Sequence, residues 1–258
     1  MCSTQSLGWS GEGWAIAMTR SPLERKLGAF VALSDNEHAI LDRLYQRRRT
    51  FVAGVDLVHQ GQSDQSAYIL ARGWAASYKL LEDGGRQIVD FQVPGDFLGL
   101  RSTLLRISDH SIEPVTDIEV SEVLVPDLLE AFSQSPRLAT AVLWAASRDE
   151  AMVVEHLVNI GRRDAVKRLG HFFLELGTRL DLVGIGSRTG FACPLTQYSL
   201  ADALGLSAVH INRCLRQLRD LGLMTFQNGQ FVFDDHAGLV RLTDFDAAYL
   251  DQSGPLLL

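Results

Sequence analysis

The chain has 258 residues, a formal net charge of -7, and 47% hydrophobic and 21% charged residues, which is typical of a soluble globular protein with room for two modest domains. Since it has no apolar run near the ~18 residues that span a bilayer and no basic N-terminal leader, we expect a cytoplasmic protein without membrane contact. Its three cysteines, Cys2, Cys193 and Cys214, are too scattered for a disulfide framework or a metal knuckle, so no metal site is predicted.

The N-terminal part of the chain divides into an extension and a helical stretch. Residues 1–21, which include the run GWSGEGW, are predicted to form a flexible extension. From residue 22 to residue 46 the apolar side chains fall at helical spacing, and Ser34 with Glu37 three residues later has the spacing of a capping box. This helical stretch begins a domain that we expect to span residues 22–134.

Most of that domain is predicted to be β-structure. Between Thr50 and Val125, short runs rich in Val, Ile, Phe and Tyr are separated by glycines. The triplet 83–85, Asp-Gly-Gly, lies between two such runs, and glycine accepts the positive φ that a tight hairpin turn needs. Short strands at about ten-residue spacing indicate a small antiparallel sandwich or barrel.

A long helix is predicted over residues 135–161. Ser135 is suited to its N-cap, and Pro136 to its first position, where a missing N–H costs nothing. Two apolar stripes run along this helix, so it has two surfaces to cover: its own domain and the twin helix of a second subunit. A single core helix within one subunit is the alternative. The predicted dimer interface comprises Leu143, Ala146, Val153, Leu157 and Ile160, with Glu150 interrupting the stripe.

Residues 162–245 have the pattern of a winged helix-turn-helix domain. An amphipathic helix and a glycine-rich connector lead to two short helices joined at Gly205, and a hairpin around Asn228-Gly229 follows. Thr196 and Ser207 are placed to cap the two short helices. Residues 246–258 are left as a C-terminal tail.

The charge distribution and one helix face point to DNA. Residues 161–233 hold nine Lys or Arg against five Asp or Glu, a net charge of +4 in an otherwise acidic chain. When the leucines of the second short helix face inward, Val209, His210, Arg213 and Arg216 must face outward. Arginine pairs with guanine O6 and N7 in the major groove, and valine can contact a thymine methyl group.

From about Leu23 onward the chain resembles the Crp/Fnr family of bacterial transcription regulators. The likeness rests on the order of the domains, on VPGDFLG at 93–99, on LADALGLSAVHINRCLRQLRDLGL at 200–223 and on FDAAYL at 245–250. It implies an α+β fold: an N-terminal antiparallel β-roll of the cyclic-nucleotide-binding type (a double-stranded, jelly-roll-like domain), a dimerisation helix and a winged helix-turn-helix. It also implies a homodimer that binds a near-palindromic double-stranded operator, contacts RNA polymerase and is not an enzyme.

The resemblance assigns roles to individual residues of the helix-turn-helix. Arg213 aligns with the family's guanine-reading arginine, whereas Ala208 and Val209 replace polar residues of the cyclic-AMP receptors, so the operator should differ from theirs. Specificity is then expected from His210 and Asn212 together with Arg213. Positions that contact the phosphate backbone, which fixes register without reading sequence, align with Thr196, Gln197 and Arg216. The predicted DNA-binding set is Thr196, Gln197, Ser207, Val209, His210, Asn212, Arg213 and Arg216.

The ligand segment of the roll departs from the family pattern. Leu100 stands where cyclic-AMP binders have a glutamate, and Asp109 would face a phosphate, which is costly when both charges are buried. Cyclic AMP is therefore disfavoured, and the absence of an N-terminal cysteine cluster disfavours an iron–sulfur centre. No cofactor is predicted, and the effector is left open. Candidate pocket residues are Trp74, Tyr78, Phe91, Phe97, Leu100 and Arg101, with core packing as the alternative for the aromatic ones.

Two other functions remain open at this point. A ligand-binding regulatory subunit that acts through protein partners would use the same roll but would not need Arg213. A cupin-type metalloenzyme would need several convergent histidines and a carboxylate, whereas His59 and His110 are isolated in the sequence. No catalytic residues are predicted, because no nucleophile–base or paired-carboxylate pattern occurs at an informative spacing.

Overall fold

The computed structural model describes residues 20–63, 66–105 and 107–251; most of the predicted extension and the end of the predicted tail lie outside these ranges. The helices are α1 Pro22–Phe30, α2 Asp35–Leu44, α3 Val125–Gln134, α4 Pro136–Arg162, α5 Ala165–Leu182, α6 Gln197–Leu204, α7 Ala208–Asp220 and α8 His236–Thr243. The strands are β1 Arg48–Phe51, β2 Ala67–Arg72, β3 Ala75–Leu80, β4 Arg86–Gln92, β5 Phe97–Leu98, β6 Ser111–Pro114, β7 Ile118–Val123, β8 Gly186–Ser187, β9 Gly190–Ala192, β10 Met224–Gln227 and β11 Gln230–Phe233. Short 3-10 turns occur at Arg101–Thr103 and Ala247–Leu250.

The β-domain predicted from the strand pattern is confirmed as two antiparallel sheets, with strand orders β1-β7-β2-β5 and β4-β3-β6. Strands β3 and β4 form the hairpin expected around the Asp-Gly-Gly triplet. Gly73, with φ of +84°, separates β2 from β3, and a Cβ added there would lie 2.4 Å from the backbone oxygen of Asp117. Only glycine fits this crossing from one sheet to the other.

One helix of this domain was missed by the sequence analysis, which carried the last β-run to Val125. In the structure β7 ends at Val123 and α3 begins at once, with Pro126 in its first turn. A proline at this position lacks only an N–H that the helix would leave unpaired, so the apolar run changes from strand to helix without a loop.

Helix α4 begins as predicted: the Ser135 side chain accepts a hydrogen bond from the Leu138 backbone N–H, and Pro136 is the first helical residue. One face of α4 packs on the β-domain through Leu138, Ala141, Val142 and Ala145. Burial of these side chains fixes the long helix along the first domain and leaves the opposite face for another surface.

The C-terminal domain contains a strand pair that the sequence did not reveal. The glycine-rich connector forms β8 and β9, which extend the predicted hairpin to a sheet of order β10-β11-β9-β8. Gly190 makes this possible, because a Cβ there would lie 2.1 Å from the Phe231 backbone oxygen. The predicted turn is confirmed, with positive φ at Asn228 and Gly229. Helix α5 stacks on this sheet, with the rings of Phe173 and Phe231 4.3 Å apart.

The two domains meet at a buried cluster of charges. Arg179 of α5 donates hydrogen bonds to Asp90 (3.0 Å), to the Phe91 backbone oxygen (2.8 Å) and to Asp96 (2.9 Å). Lys26 of α1 lies 2.7 Å from the other oxygen of Asp96. Although burial opposes ionisation, Lys26 and Arg179 lower the pKa of Asp96 to about 2. Asp96 therefore has one cationic partner in its own domain, Lys26, and one across the domain junction, Arg179.

The start of the predicted tail is packed rather than free. Its 3-10 turn lies against α4, and the Tyr249 hydroxyl donates a 2.8 Å hydrogen bond to Glu175 on α5. Burial raises the pKa of Glu175 to about 7, against the opposing effects of Arg179 and Tyr249. The tail thus covers a carboxyl group that is largely neutral below neutral pH.

Substitution of Glu175 by glutamine isolates this carboxyl group. Because the folded-state pKa of Glu175 lies above the unfolded value, its contribution to stability is complete below the unfolded pKa and is lost as pH rises through about 7. The glutamine keeps the size and an acceptor for Tyr249 but does not ionise. In urea denaturation, the free energy of unfolding of the variant relative to that of the wild type should therefore rise by about 2 kcal/mol between pH 5 and pH 8. A constant difference across that range would contradict the assignment.

Candidate nucleic-acid interface

The helix-turn-helix is built by local caps, as predicted. The Thr196 side chain accepts from the Ser199 backbone N–H, and the Ser199 hydroxyl in turn lies 2.8 Å from the Thr196 backbone N–H. Helix α6 ends at Gly205, whose φ of +63° is left-handed and favours glycine. Ser207 then accepts from the His210 backbone N–H and starts α7. These caps fix where both helices begin.

Helix α7 presents a polar and cationic face to solvent. Its buried side is formed by Ile211, Cys214 and Leu218. The opposite side carries exposed Val209, Asn212, Arg213 and Arg216, with His210 half-buried beside them. None of the hydrogen bonds and ion pairs among the described residues uses the guanidinium of Arg213 or Arg216. Two cations are therefore available to a ligand on this face.

Two of the predicted DNA-binding residues contact each other instead of standing apart. The Asn212 side-chain amide on α7 donates a hydrogen bond to the side-chain oxygen of Gln197, the first residue of α6. Gln197 is half-buried and Asn212 is exposed. The two residues are 15 positions apart in the chain and lie on two different helices, so no local spacing pattern predicts their contact.

The carboxyl end of α6 is held by three neighbouring elements. The last carbonyls of a helix have no partner within the helix, so donors from outside can take them. Here the Ala203 oxygen lies 3.0 Å from the Gln87 side-chain amide of β4 and 2.9 Å from His156 Nε2 of α4. The Leu204 oxygen accepts a 2.7 Å hydrogen bond from Arg168 of α5. We call these three donors the α6 anchor.

An ion pair adds to this attachment. Arg86 of β4 donates to Asp202 of α6 at 2.8 Å and also pairs with Glu113 of β6, on the other side of β3 in the same sheet. Both Arg86 and Asp202 are about one-third exposed. The first helix of the reading unit is therefore joined to the β-domain of the same chain by the Arg86–Asp202 ion pair and by the Gln87 hydrogen bond, while the other two donors of the α6 anchor lie on α4 and α5.

The predicted dimer face of α4 is exposed over most of its length. Leu143 is 64% exposed, Val153 44% and Leu157 71%, and Ala146 is exposed as well. Ile160 differs, because it is half-buried near Gly205 of its own chain. The sequence analysis did not include two further exposed residues that widen this stripe, Val154 and Val158.

The aromatic candidates for an effector pocket lie in packed cores. Trp74, Tyr78 and Phe91 belong to one buried cluster and Phe97 to another, where Leu100 packs at the edge. A cavity of about 660 Å³ lies elsewhere, between α5, β11 and α8, and none of the candidates lines it. The structure does not bring these rings together around one space, since they are divided between two buried clusters.

The segment expected to face a cyclic phosphate carries an internal ion pair. Arg101 is exposed and donates to Asp109 at 2.7 Å, and His110 Nδ1 lies 2.8 Å from the same carboxylate. Although burial opposes ionisation, His110 and Arg101 lower the pKa of Asp109 below its usual value. The carboxylate already neutralises the arginine that a phosphate would need.

The remaining histidine candidates have single carboxylate partners. His59 lies 3.1 Å from Asp56, and His110 pairs with Asp109. Across the described parts of the chain, no three His, Cys, Asp or Glu side chains are grouped as a metal site would require. No helix in those parts is both long enough and apolar enough to cross a membrane.

Comparison with known proteins matches both halves of the molecule. A model of Crp-like helix-turn-helix domains matches residues 167–242, and one of cyclic nucleotide-binding domains matches 48–135. The nitrogen fixation regulation protein FixK of Bradyrhizobium diazoefficiens is 30% identical over 198 residues, covering 76% of this chain and 81% of the relative. The anaerobic regulatory protein of Haemophilus influenzae is 26% identical over 211 residues, or 82% of each chain. The solved structure of FixK2 from Bradyrhizobium japonicum gives a TM-score of 0.69 at 26% identity, covering 78% of this chain and 98% of that one.

Proposed function

Because this chain belongs to the Crp/Fnr family of bacterial transcription regulators, we propose that it binds a near-palindromic operator as a homodimer. Helix α7 of each protomer enters one major groove, and Arg213 contacts a guanine there. The two half-sites lie about one helical turn (~34 Å) apart. The observation that carries this proposal is the exposed face of α7, where Arg213 and Arg216 have no partner among the described residues.

The apolar stripe on α4 supports the homodimer. Large apolar side chains exposed in a row are uncommon on monomers and mark surfaces that are covered by a partner. The spacing of Val153 and Leu157 is that of one helix packing along a twin helix. A second copy of the chain supplies such a helix and brings two α7 helices to one duplex.

The signal that the roll senses is one other than cyclic AMP. The ion pair between Arg101 and Asp109 supports this, because a bound phosphate would have to compete with a carboxylate already in place. The proposal includes no iron–sulfur cluster, because such a cluster is held by four cysteine ligands and the chain has three cysteines. It acts in the cytoplasm, where its operator is, and contacts RNA polymerase from the DNA.

Selection of binding sites from a random duplex pool tests the proposed function. The wild type should enrich a palindrome, and Arg213→Ala should lose at least about tenfold of its preference for guanine at one position of each half-site. Arg219→Ala is the matched control, since Arg219 is exposed on the last turn of the same helix. It should weaken binding to all duplexes equally and leave the selected sequence unchanged. Failure of the wild type to enrich any motif at moderate salt would contradict the proposal.

A further inference from the structure

The hydrogen bond between Gln197 and Asn212 fixes the orientation of one amide on the DNA-reading face of α7. We propose that Gln197 positions Asn212 so that this asparagine reads an adenine beside the guanine contacted by Arg213. The inference rests on the proposed function, since it assigns a base to a residue on the same DNA-reading face. It gives Gln197 a positioning role in place of the phosphate contact that the family resemblance implies.

Asn212 occupies the middle of the exposed face of α7. Val209 lies one turn before it and Arg216 one turn after it, while Arg213 is the next residue in the chain. All four side chains are exposed. Neighbours one turn apart on a helix lie on the same face, so a duplex that receives the Arg213 guanidinium also approaches the Asn212 amide.

The chemistry of the amide selects the base. An asparagine side chain has two N–H donors and one carbonyl acceptor. Because one N–H is donated to Gln197, the group that remains is one donor beside one acceptor. Adenine offers the complementary pair in the major groove, an N7 acceptor and an N6 amino donor, whereas guanine offers two acceptors, cytosine a donor and thymine an acceptor.

The position of Gln197 makes it a stable support. It is the first residue of α6, directly after Thr196, whose reciprocal cap with Ser199 fixes the backbone there. Gln197 is half-buried, whereas Asn212 is exposed and would otherwise rotate freely. Holding the amide in its bound orientation before DNA arrives removes part of the entropy cost of binding.

The two roles for Gln197 differ in a measurable way. A phosphate contact strengthens binding to every duplex alike, because the backbone carries no base identity. A positioning contact changes only the preference at the base that Asn212 reads. The deciding quantity is therefore the ratio of affinities between operators that differ at that single base pair.

Competition binding with the operator selected by the wild type, and with duplexes altered at one base pair, measures this ratio. Gln197→Met keeps the chain length but loses the acceptor, and should reduce the adenine preference on the order of tenfold, to the level of Asn212→Ala. Gln197→Glu retains an acceptor and should retain the preference while binding all DNA more weakly. The double variant Gln197→Met/Asn212→Ala should lose no more of the preference than Asn212→Ala alone.

Controls separate this inference from the proposed function. The guanine preference that depends on Arg213 should be unchanged in Gln197→Met, and its thermal unfolding should match the wild type. Uniform weakening of Gln197→Met on all duplexes, with the adenine preference intact, would overturn the positioning role. A preference of the wild type for guanine at the Asn212 position would overturn the assignment of adenine. Both results leave the proposed function standing, which fails only if the wild type selects no operator.

Discussion

Replacement of Arg179 by methionine should lower the free energy of unfolding by about 3–5 kcal/mol. Methionine fills most of the arginine's volume, so the loss is mainly electrostatic. It leaves Asp96, which is 5% exposed, with Lys26 as its ion-pair partner and the Val93 backbone N–H as a donor, and it removes the donor to the Phe91 carbonyl. The effect is large because the buried carboxylate still has the free-energy cost of desolvation but loses part of the attraction that offset that cost.

Chemical denaturation of Arg179→Met beside Lys167→Met measures the effect. Lys167 also lies on α5 and pairs with Asp244 at 3.0 Å, but Asp244 is 77% exposed. An ion pair in such a position contributes at most about 1 kcal/mol, so its loss should be small. Similar losses for the two variants would show that the junction charges are no more important than surface charges.

Leu157→Asp is expected to convert the proposed dimer to a monomer. In a single chain Leu157 is 71% exposed, so an aspartate there should leave the circular dichroism spectrum and the stability of the protomer nearly unchanged. In the proposed dimer the substitution places two carboxylates in an apolar seam. The dimer dissociation constant should rise on the order of 100-fold or more, and operator affinity should fall with it, because buried unpaired charge is costly.

Sedimentation at several protein concentrations, together with operator binding, measures both consequences. Leu129→Asp is the matched control, since Leu129 on α3 is 61% exposed but lies off the α4 stripe. That variant should sediment and bind like the wild type. Dimer formation by Leu157→Asp at wild-type concentrations would place the subunit interface elsewhere.

Features set by neighbours a few residues away were accessible from the sequence. The capping of α2 by Ser34, the start of α4 at Ser135 and the turn at Gly205 all occur where expected. Each depends on hydrogen bonds or backbone angles within about four residues. The outward face of α7 was accessible for the same reason, because helical period alone separates Arg213 from the buried Ile211.

Features that depend on distant parts of the chain were not accessible. Strand β9 exists because Gly190 lets it approach β11, a contact that the connector's glycine-rich composition conceals. Arg179 and Asp90 are 89 residues apart and share no periodicity. The hydrophobic pattern also does not distinguish a residue that lines a ligand pocket from one that packs in the core. It predicted that Trp74 is buried, but the structure was needed to show that it packs in a core cluster.

The α6 anchor determines how a change in the β-domain is transmitted to the DNA-reading helices. Its donors, Gln87, His156 and Arg168, belong to the same chain as the carbonyls that they hold. While these bonds persist, the β-domain and the reading unit of one protomer turn together. In the proposed dimer, a change of state that preserves these bonds therefore changes the separation between the two α7 helices. Both α7 helices would then fit successive major grooves only when their separation matches the pitch of B-DNA, ~34 Å per turn.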